Sequence, residues 1–533
     1  MFAKILMLLV FFTVMLLVGV ACRKHARSVD GFVLGGRSVG AWFTAFAFGT
    51  SYFSAVIFVG YAGQFGWRFG LASTWIGLGN AFIGSLLAWV ILGRRTRIMT
   101  QHLNSRTMPD FFGLRYQSPA LKITAAVIVF VFLIPYTASL FNGLSRLFTM
   151  AFPGIDYTWC VIIMAVLTGI YVTIGGYMAT AVNDFIQGIV MLFGIVAVIA
   201  AVLNGQGGLS EAIARLSQTS ITTSEGSEFR GAFSSFFGAD PEFLFFVVIL
   251  TSLGTWGLPQ MVNKFYAIRD EASIKKGTVI STVFALIVAG GCYFLGGFGR
   301  LFAPSVEYQA DGVTPVFDSI IPAMLQGLSP ALIGIVLVLV LSASMSTLSS
   351  LVLTSSSTIT LDFIDPLCRK KLKEKHQMRI MQAFIGFFIL TSAVIAIIQA
   401  KSNVVFIAQL MGVSWGALAG AFLAPFLYGL FWKRTTKAAC WISFGWGVGL
   451  SLIQLIKTMT GFEFGIAFLD HTVFASSIHS GAIAMLTGLV IVPLFSLVTK
   501  KPDMKKVEEI FSCYNEKITV PVKETLGEQL KST

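Results

Sequence analysis

Apolar residues fall along this chain in long unbroken blocks, with little of the spacing that marks amphipathic helices or half-buried strands. Thirteen blocks stand out, at about 3–22, 40–61, 71–93, 122–148, 158–176, 184–204, 243–263, 277–302, 331–361, 380–400, 404–431, 438–458 and 477–499. They are spans one to thirteen, in that order. A helix of roughly 20 apolar residues crosses the hydrocarbon of a bilayer and satisfies its own backbone groups there. The pattern predicts an all-α, polytopic membrane protein with about 13 transmembrane helices. Span one resembles a secretion signal, with Lys4 at its start and Ala21-Cys22 at its end. Its length and the basic flank Arg23, Lys24 and Arg27 fit a retained helix better.

Composition agrees. Of 533 residues, 56% are hydrophobic and 12% charged, about half the charge of a typical soluble protein. Six cysteines and five histidines are scattered, so neither a disulfide scaffold nor a zinc site is supported. No HExxH or GxSxG motif is present, and no cluster of proton-exchanging groups stands out. The expectation is a protein that is not an enzyme and holds no organic cofactor.

The charge, 38 Lys+Arg against 25 Asp+Glu for a net +13, raises the question of nucleic acid until its distribution is read. Basic clusters follow spans one (Arg23, Lys24, Arg27, Arg37), three (Arg94, Arg95, Arg97, Arg106, Arg115, Lys122), seven (Lys264, Arg269, Lys275, Lys276), nine (Arg369 to Arg379) and eleven (Lys433, Arg434, Lys437), and fill the tail. All are odd-numbered. The positive-inside rule then places these loops and the C-terminus in the cytoplasm and the N-terminus outside, in a cell (inner) membrane. The excess charge is an orientation signal that also suits anionic lipid; no nucleic-acid partner is expected.

Spans two and seven are interrupted. Span two reads Gly49-Thr50-Ser51-Tyr52-Phe53-Ser54 at mid-depth, and span seven reads Gly254-Thr255-Trp256-Gly257-Leu258-Pro259-Gln260. Glycine and proline are common in membrane helices, yet they also weaken the helix ladder and free carbonyls that can coordinate a cation. Five spans apart, the two cross in opposite directions. That fits two inverted five-helix repeats, spans two to six and seven to eleven, with a solute between the breaks. The expected divisions are 1–39 (first helix and cytoplasmic loop), 40–204 (first repeat), 205–242 (an extracytoplasmic loop with short helices), 243–432 (second repeat), 433–499 (two peripheral helices) and 500–533 (cytoplasmic tail).

Span nine carries Ser342, Ser346, Ser349 and Ser350 on one helical face, with Thr347 beside them. Hydroxyl oxygens suit an alkali cation, although such residues also bond their own backbone or pack helices closely. Asp184, expected at the mouth of span six, is a rare acid among apolar residues and a functional candidate. Gly412, Gly416 and Gly420 in span eleven form a repeated GxxxG, read as close helix packing.

Several segments together resemble the sodium/solute symporters, a family that includes proline, pantothenate and sugar carriers. They are Phe32-Val33-Leu34-Gly35-Gly36-Arg37-Ser38, Met108-Pro109-Asp110-Phe111-Phe112 with Arg115-Tyr116, Thr173-Ile174-Gly175-Gly176 through Asn183-Asp184 to Gln187, and Met345-Ser346-Thr347-Leu348-Ser349. The resemblance implies a leucine-transporter-like core and import of a small organic solute, such as an amino acid, a pantothenate-like acid or another carboxylate, coupled to Na+. It implies a sodium site from the carbonyls of Thr50, Phe53 and Ala343 with the hydroxyls of Ser346 and Thr347. Asp184, Ser349 and Ser350 match a second sodium site of some members. Where the proline branch has an aspartate after the serine of the break, this chain has Tyr52. Ser54, Tyr136, Trp256 and Gln260 are the candidate solute contacts. The rival readings are a sensor built on a transporter scaffold and a passive channel without sodium coupling.

Overall fold

A computed structural model describes residues 2–222, 228–309, 311–370, 372–402 and 407–515; the last part of the expected tail lies outside them. Among the described residues, ten helices are long and apolar enough to cross a membrane, or eleven when the bent pair Pro241–Gly257 and Pro259–Ala267 counts as one span. Two of the ten, Val56–His102 and Tyr157–Gly205, are 47 and 49 residues long. At 1.5 Å per residue each would reach roughly 70 Å, more than twice the hydrocarbon thickness. Each is broken by a glycine of positive φ, Gly70 (φ 64°) in the first and Gly176 (φ 54°) in the second. Counted as two crossings each, they bring the total to the thirteen spans read from the sequence.

Several boundaries differ from those expected, span eight for example running Glu271–Gly296 instead of 277–302, and two of the differences bear on the site. Residues 177–183 are helical, not a loop, because the chain turns on Gly176 alone, where a Cβ would lie 2.9 Å from the Phe32 carbonyl oxygen. Asp184 therefore lies two turns inside span six, not at its mouth. Span seven runs on to Ala267, so Lys264, expected in the following loop, is part of the helix and 2% exposed. The segment 205–242 contains the expected short helix, Leu209–Gln218, and also a small antiparallel ribbon pairing Ser220–Thr222 with Glu228–Arg230.

Both interrupted spans break at an extended residue. In span two, Ala41–Tyr52 ends at Phe53 (φ −89°, ψ 119°) and the helix resumes beyond Ser54. In span seven, Leu258 (φ −84°, ψ 121°) separates Pro241–Gly257 from Pro259–Ala267 at a bend of 46°. Pro259 has no N–H to offer the carbonyl four residues back, which is reason enough for that break. The chain before span two pairs with the chain after span seven: the Val39 amide donates to the Ala267 carbonyl at 3.2 Å, and the Arg269 amide donates to the Val39 carbonyl at 3.0 Å.

Span nine (Pro330–Thr358, continuing to Leu367) is the central post, packed against spans two, four, six and ten. Span eleven packs closely on span thirteen through Gly412, Gly416 and Gly420, where a Cβ would meet Ser477, Gly481 and Ala484 at 2.4, 2.9 and 2.8 Å. Loops that follow odd-numbered spans meet on one face. Arg106 pairs with Asp30 at 2.7 Å and Arg94 with Glu271 at 2.6 Å. The Tyr514 hydroxyl, just beyond the helix Met504–Ser512, donates to the Arg95 carbonyl at 3.3 Å. On the other face Arg68, after span two, pairs with Asp240, after span six.

Candidate functional site

Because span two stops at Tyr52, the carbonyls just before and at the break lose the amides that a continuing helix would supply. Span nine presses its hydroxyls against them. Ser346 Oγ lies 3.1 Å from the Thr50 carbonyl oxygen and 3.1 Å from that of Ala343. Thr347 Oγ1 lies 3.2 Å from Thr50 O, 3.4 Å from Phe53 O and 3.1 Å from Ala343 O. All five residues are buried. Two hydroxyls carry two protons, which cannot serve five close oxygen–oxygen approaches. The cluster therefore has lone pairs to spare, turned toward one another away from water. The structure brings together all five groups that the sequence nominated for a sodium site.

A second polar cluster adjoins it, one residue further along span two and about one turn further along span nine. Ser51 Oγ and Ser350 Oγ are 2.7 Å apart, and Lys264 Nζ donates to Ser350 Oγ at 3.0 Å. The same ammonium stands 3.8 Å from Asp184 Oδ2 and 5.3 Å from the centre of the Tyr177 ring. Both Asp184 oxygens lack a hydrogen bond, so Lys264 meets the carboxylate as a charge. Ser349, nominated with Asp184 and Ser350, instead donates to the Ser346 carbonyl at 2.9 Å. The sequence reading put Lys264 among the loop lysines because apolar-run counting closed span seven one residue before it.

The four solute candidates separate. The Tyr136 hydroxyl faces Ser54 and the Trp415 indole, yet none of the three makes a hydrogen bond of good geometry through its side chain. Trp415 stands edge-on to Tyr136 (centroids 6.0 Å, 88°) and 5.9 Å from the Tyr52 ring. Spans two, four and eleven thus converge on unsatisfied polar tips beside the first cluster. Trp256 is not among them, since its indole N–H donates to the Ile83 carbonyl at 3.0 Å and ties span seven to span three. Gln260, in the first turn beyond the span-seven break, is 1% exposed with both amide atoms unpaired. Trp415 was missed because the sequence around it reads as a glycine packing stripe.

The motif residues Arg37 and Asp110, with Thr107, Lys122 and Asp362 around them, hold the loops. Thr107 Oγ1 donates to Asp362 at 2.5 Å, and Lys122 Nζ reaches Asp110 at 2.7 Å and Asp362 at 3.3 Å. Arg37 donates to the carbonyls of Ser105 and Tyr266 at 2.5 and 3.3 Å. Among the described residues, no group of three or more His, Cys, Asp or Glu is placed to hold a metal ion.

The sodium:solute symporter family profile matches residues 32–446. A sodium/proline symporter of Staphylococcus aureus is 27% identical over 516 residues, covering 95% of this chain and 96% of that protein. One from strain JH9 is 27% identical over 518 residues, with the same coverage. A solved Na+-coupled sialic acid symporter, in a substrate-bound outward-open state, matches with a TM-score of 0.72 at 17% identity, over 95% of this chain and 99% of its own. That likeness extends to the fold, a leucine-transporter-like bundle. With a profile running from before the first break to beyond the second repeat, the chain belongs to the sodium:solute symporter family.

Proposed function

We propose that this chain imports a small organic solute across the cell membrane together with sodium, by alternating access, and that it is a carrier and not an enzyme. The observation that carries the reading is the oxygen cluster at the span-two break. Thr50 O, Phe53 O, Ala343 O, Ser346 Oγ and Thr347 Oγ1 supply a small hard cation with a shell in place of water. Such a cation ties span nine to the break and favours the conformation in which both are apposed. Coupling requires sodium to bind the outward-open state better than the inward-open one.

The solute sits beside this cluster, against Ser54, Tyr136 and Trp415, with Gln260 reaching from the other break. Hydroxyls, an indole N–H and an amide between aromatic walls suit an amino acid, a pantothenate-like acid or another small carboxylate. Proline comes first in a test panel because relatives carry it in their names, although Tyr52 stands where an aspartate is found in that branch. The two five-span repeats, 40–204 and 243–432, move against one another around the fixed pair of sites. The basic face looks into the cytoplasm, which puts the N-terminus outside.

One sodium entering down a 100 mV potential supplies about 2.3 kcal/mol, and a tenfold concentration gradient roughly 1.4. Their sum sustains solute accumulation on the order of 500-fold. The test is uptake into proteoliposomes over a solute panel, with the sodium gradient imposed or absent. Saturable uptake that needs the gradient is expected, and the double variant Ser346→Ala, Thr347→Ala should abolish it. Uptake persisting in that variant with unchanged sodium affinity would show that the ion binds elsewhere. Non-saturating flux indifferent to sodium would identify a channel.

A further inference from the structure

We infer that Lys264 is a built-in cation: its ammonium fills the position between Asp184 and Ser350 that would otherwise receive a second sodium, so that one sodium binds per chain. The inference rests on the sodium reading of the first cluster and adds what the second cluster does.

The first ground is charge. Asp184 is wholly buried, two turns inside span six, and neither of its oxygens has a hydrogen bond. A carboxylate in that setting needs a positive partner. Lys264, 2% exposed and 3.8 Å away, is the cation that the structure supplies. The second ground is the direction of the hydrogen bonds. An ammonium can only donate, so Ser350 Oγ accepts from Lys264 at 3.0 Å. Its own proton is then free for Ser51 Oγ at 2.7 Å. The oxygen that would ligate an ion is thus already satisfied by a positive group, and the Tyr177 ring face covers that group from another side at 5.3 Å.

The third ground is position. Ser51 and Ser350 lie next along the chain from, or within one turn of, Thr50, Ser346 and Thr347, so the ammonium sits one step from the first oxygen cluster. A second mobile cation there would face a like charge. The difference between a tethered and a free cation is functional. Sodium leaves with each cycle and takes energy from the gradient; Lys264 returns with its helix and takes none. A second coupled sodium would square the accumulation limit, so this chain works with the smaller ratio.

Lys264 also joins the short second half of span seven to spans six and nine. A merely structural ion pair would do the same, and counting ions separates the two. The experiment is equilibrium binding of 22Na+ to the purified full-length chain in nanodiscs, with sodium bound per chain as the readout. The wild type should bind one, and Asp184→Asn should still bind one. Lys264→Ala should bind two, because the vacated position now offers Asp184 and Ser350 to the ion. Adding Asp184→Asn to Lys264→Ala should return the count to one. A wild-type count of two, with one lost in Asp184→Asn, would overturn the inference, and this arm does not depend on any Lys264 variant folding. So would a folded Lys264→Ala or Lys264→Gln that stays at one. A wild-type count of zero would sink the sodium reading itself, and this inference with it.

Discussion

Thr347 contributes one proton and one oxygen to a cluster in which three carbonyls lie within 3.4 Å of it. Replacing it with valine keeps the shape and removes the oxygen, so the effect falls on the ion and spares the packing. Thr347→Val should raise the half-saturating sodium concentration at least tenfold, whereas Thr347→Ser should change it little; sodium titration of uptake reads both. An equal loss in both variants would point to packing instead. These residues were legible because hydroxyls repeated at helical spacing, and the resemblance to a family assigned them a role. Lys264 and Trp415 were not. A lysine at the end of an apolar run looks like a loop residue until the acid that meets it is known, and Asp184 lies 80 residues away in sequence. A tryptophan among glycines looks like packing until the tyrosine it faces is located in another span.

The breaks in spans two and seven could be read from glycine and proline, since those residues act through the local backbone. The extents of spans six and seven could not, because the first depends on how tightly the chain turns at Gly176 and the second on whether a distant partner neutralises Lys264. Between those elements the loops are held by caps of ordinary chemistry. Asp270 heads span eight, where its Oδ1 accepts from the Ser273 amide at 2.7 Å. That backbone hydrogen bond, helped by the Arg269 and Ser273 side chains, outweighs the opposing effect of burial and holds its carboxyl below the usual value. The stabilisation is therefore complete above about pH 4, the ordinary aspartate range, and is lost as pH falls through the lowered value. Asp270→Ala should cost about 1 kcal/mol at neutral pH. The thermal unfolding midpoints of variant and wild type should converge in acid. A constant difference at all pH values would show that the cap is not the cause.

Across the whole molecule, the alternation of basic and neutral loops was legible from charge alone. The structure gathers the loops after spans one, three and seven and the tail helix onto one face through Asp30–Arg106, Arg94–Glu271 and Tyr514–Arg95. The proposed orientation, basic face inward, is read out in the intact membrane. Val313, 79% exposed between spans eight and nine, belongs to the opposite face. A single cysteine there should react with an impermeant maleimide added to whole cells, and one at Lys505 only after the cells are opened. The reverse pattern would invert the topology.

The pairing of Val39 with Ala267 and Arg269 has a kinematic consequence. It stitches the first half of span two to the second half of span seven, so the two broken helices are geared as one lever with two elbows. An ion that straightens or bends the first elbow is felt at the second without any contact between ion and solute. Lys264 rides on the same lever, and its contacts with Asp184 and Ser350 join that lever to spans six and nine.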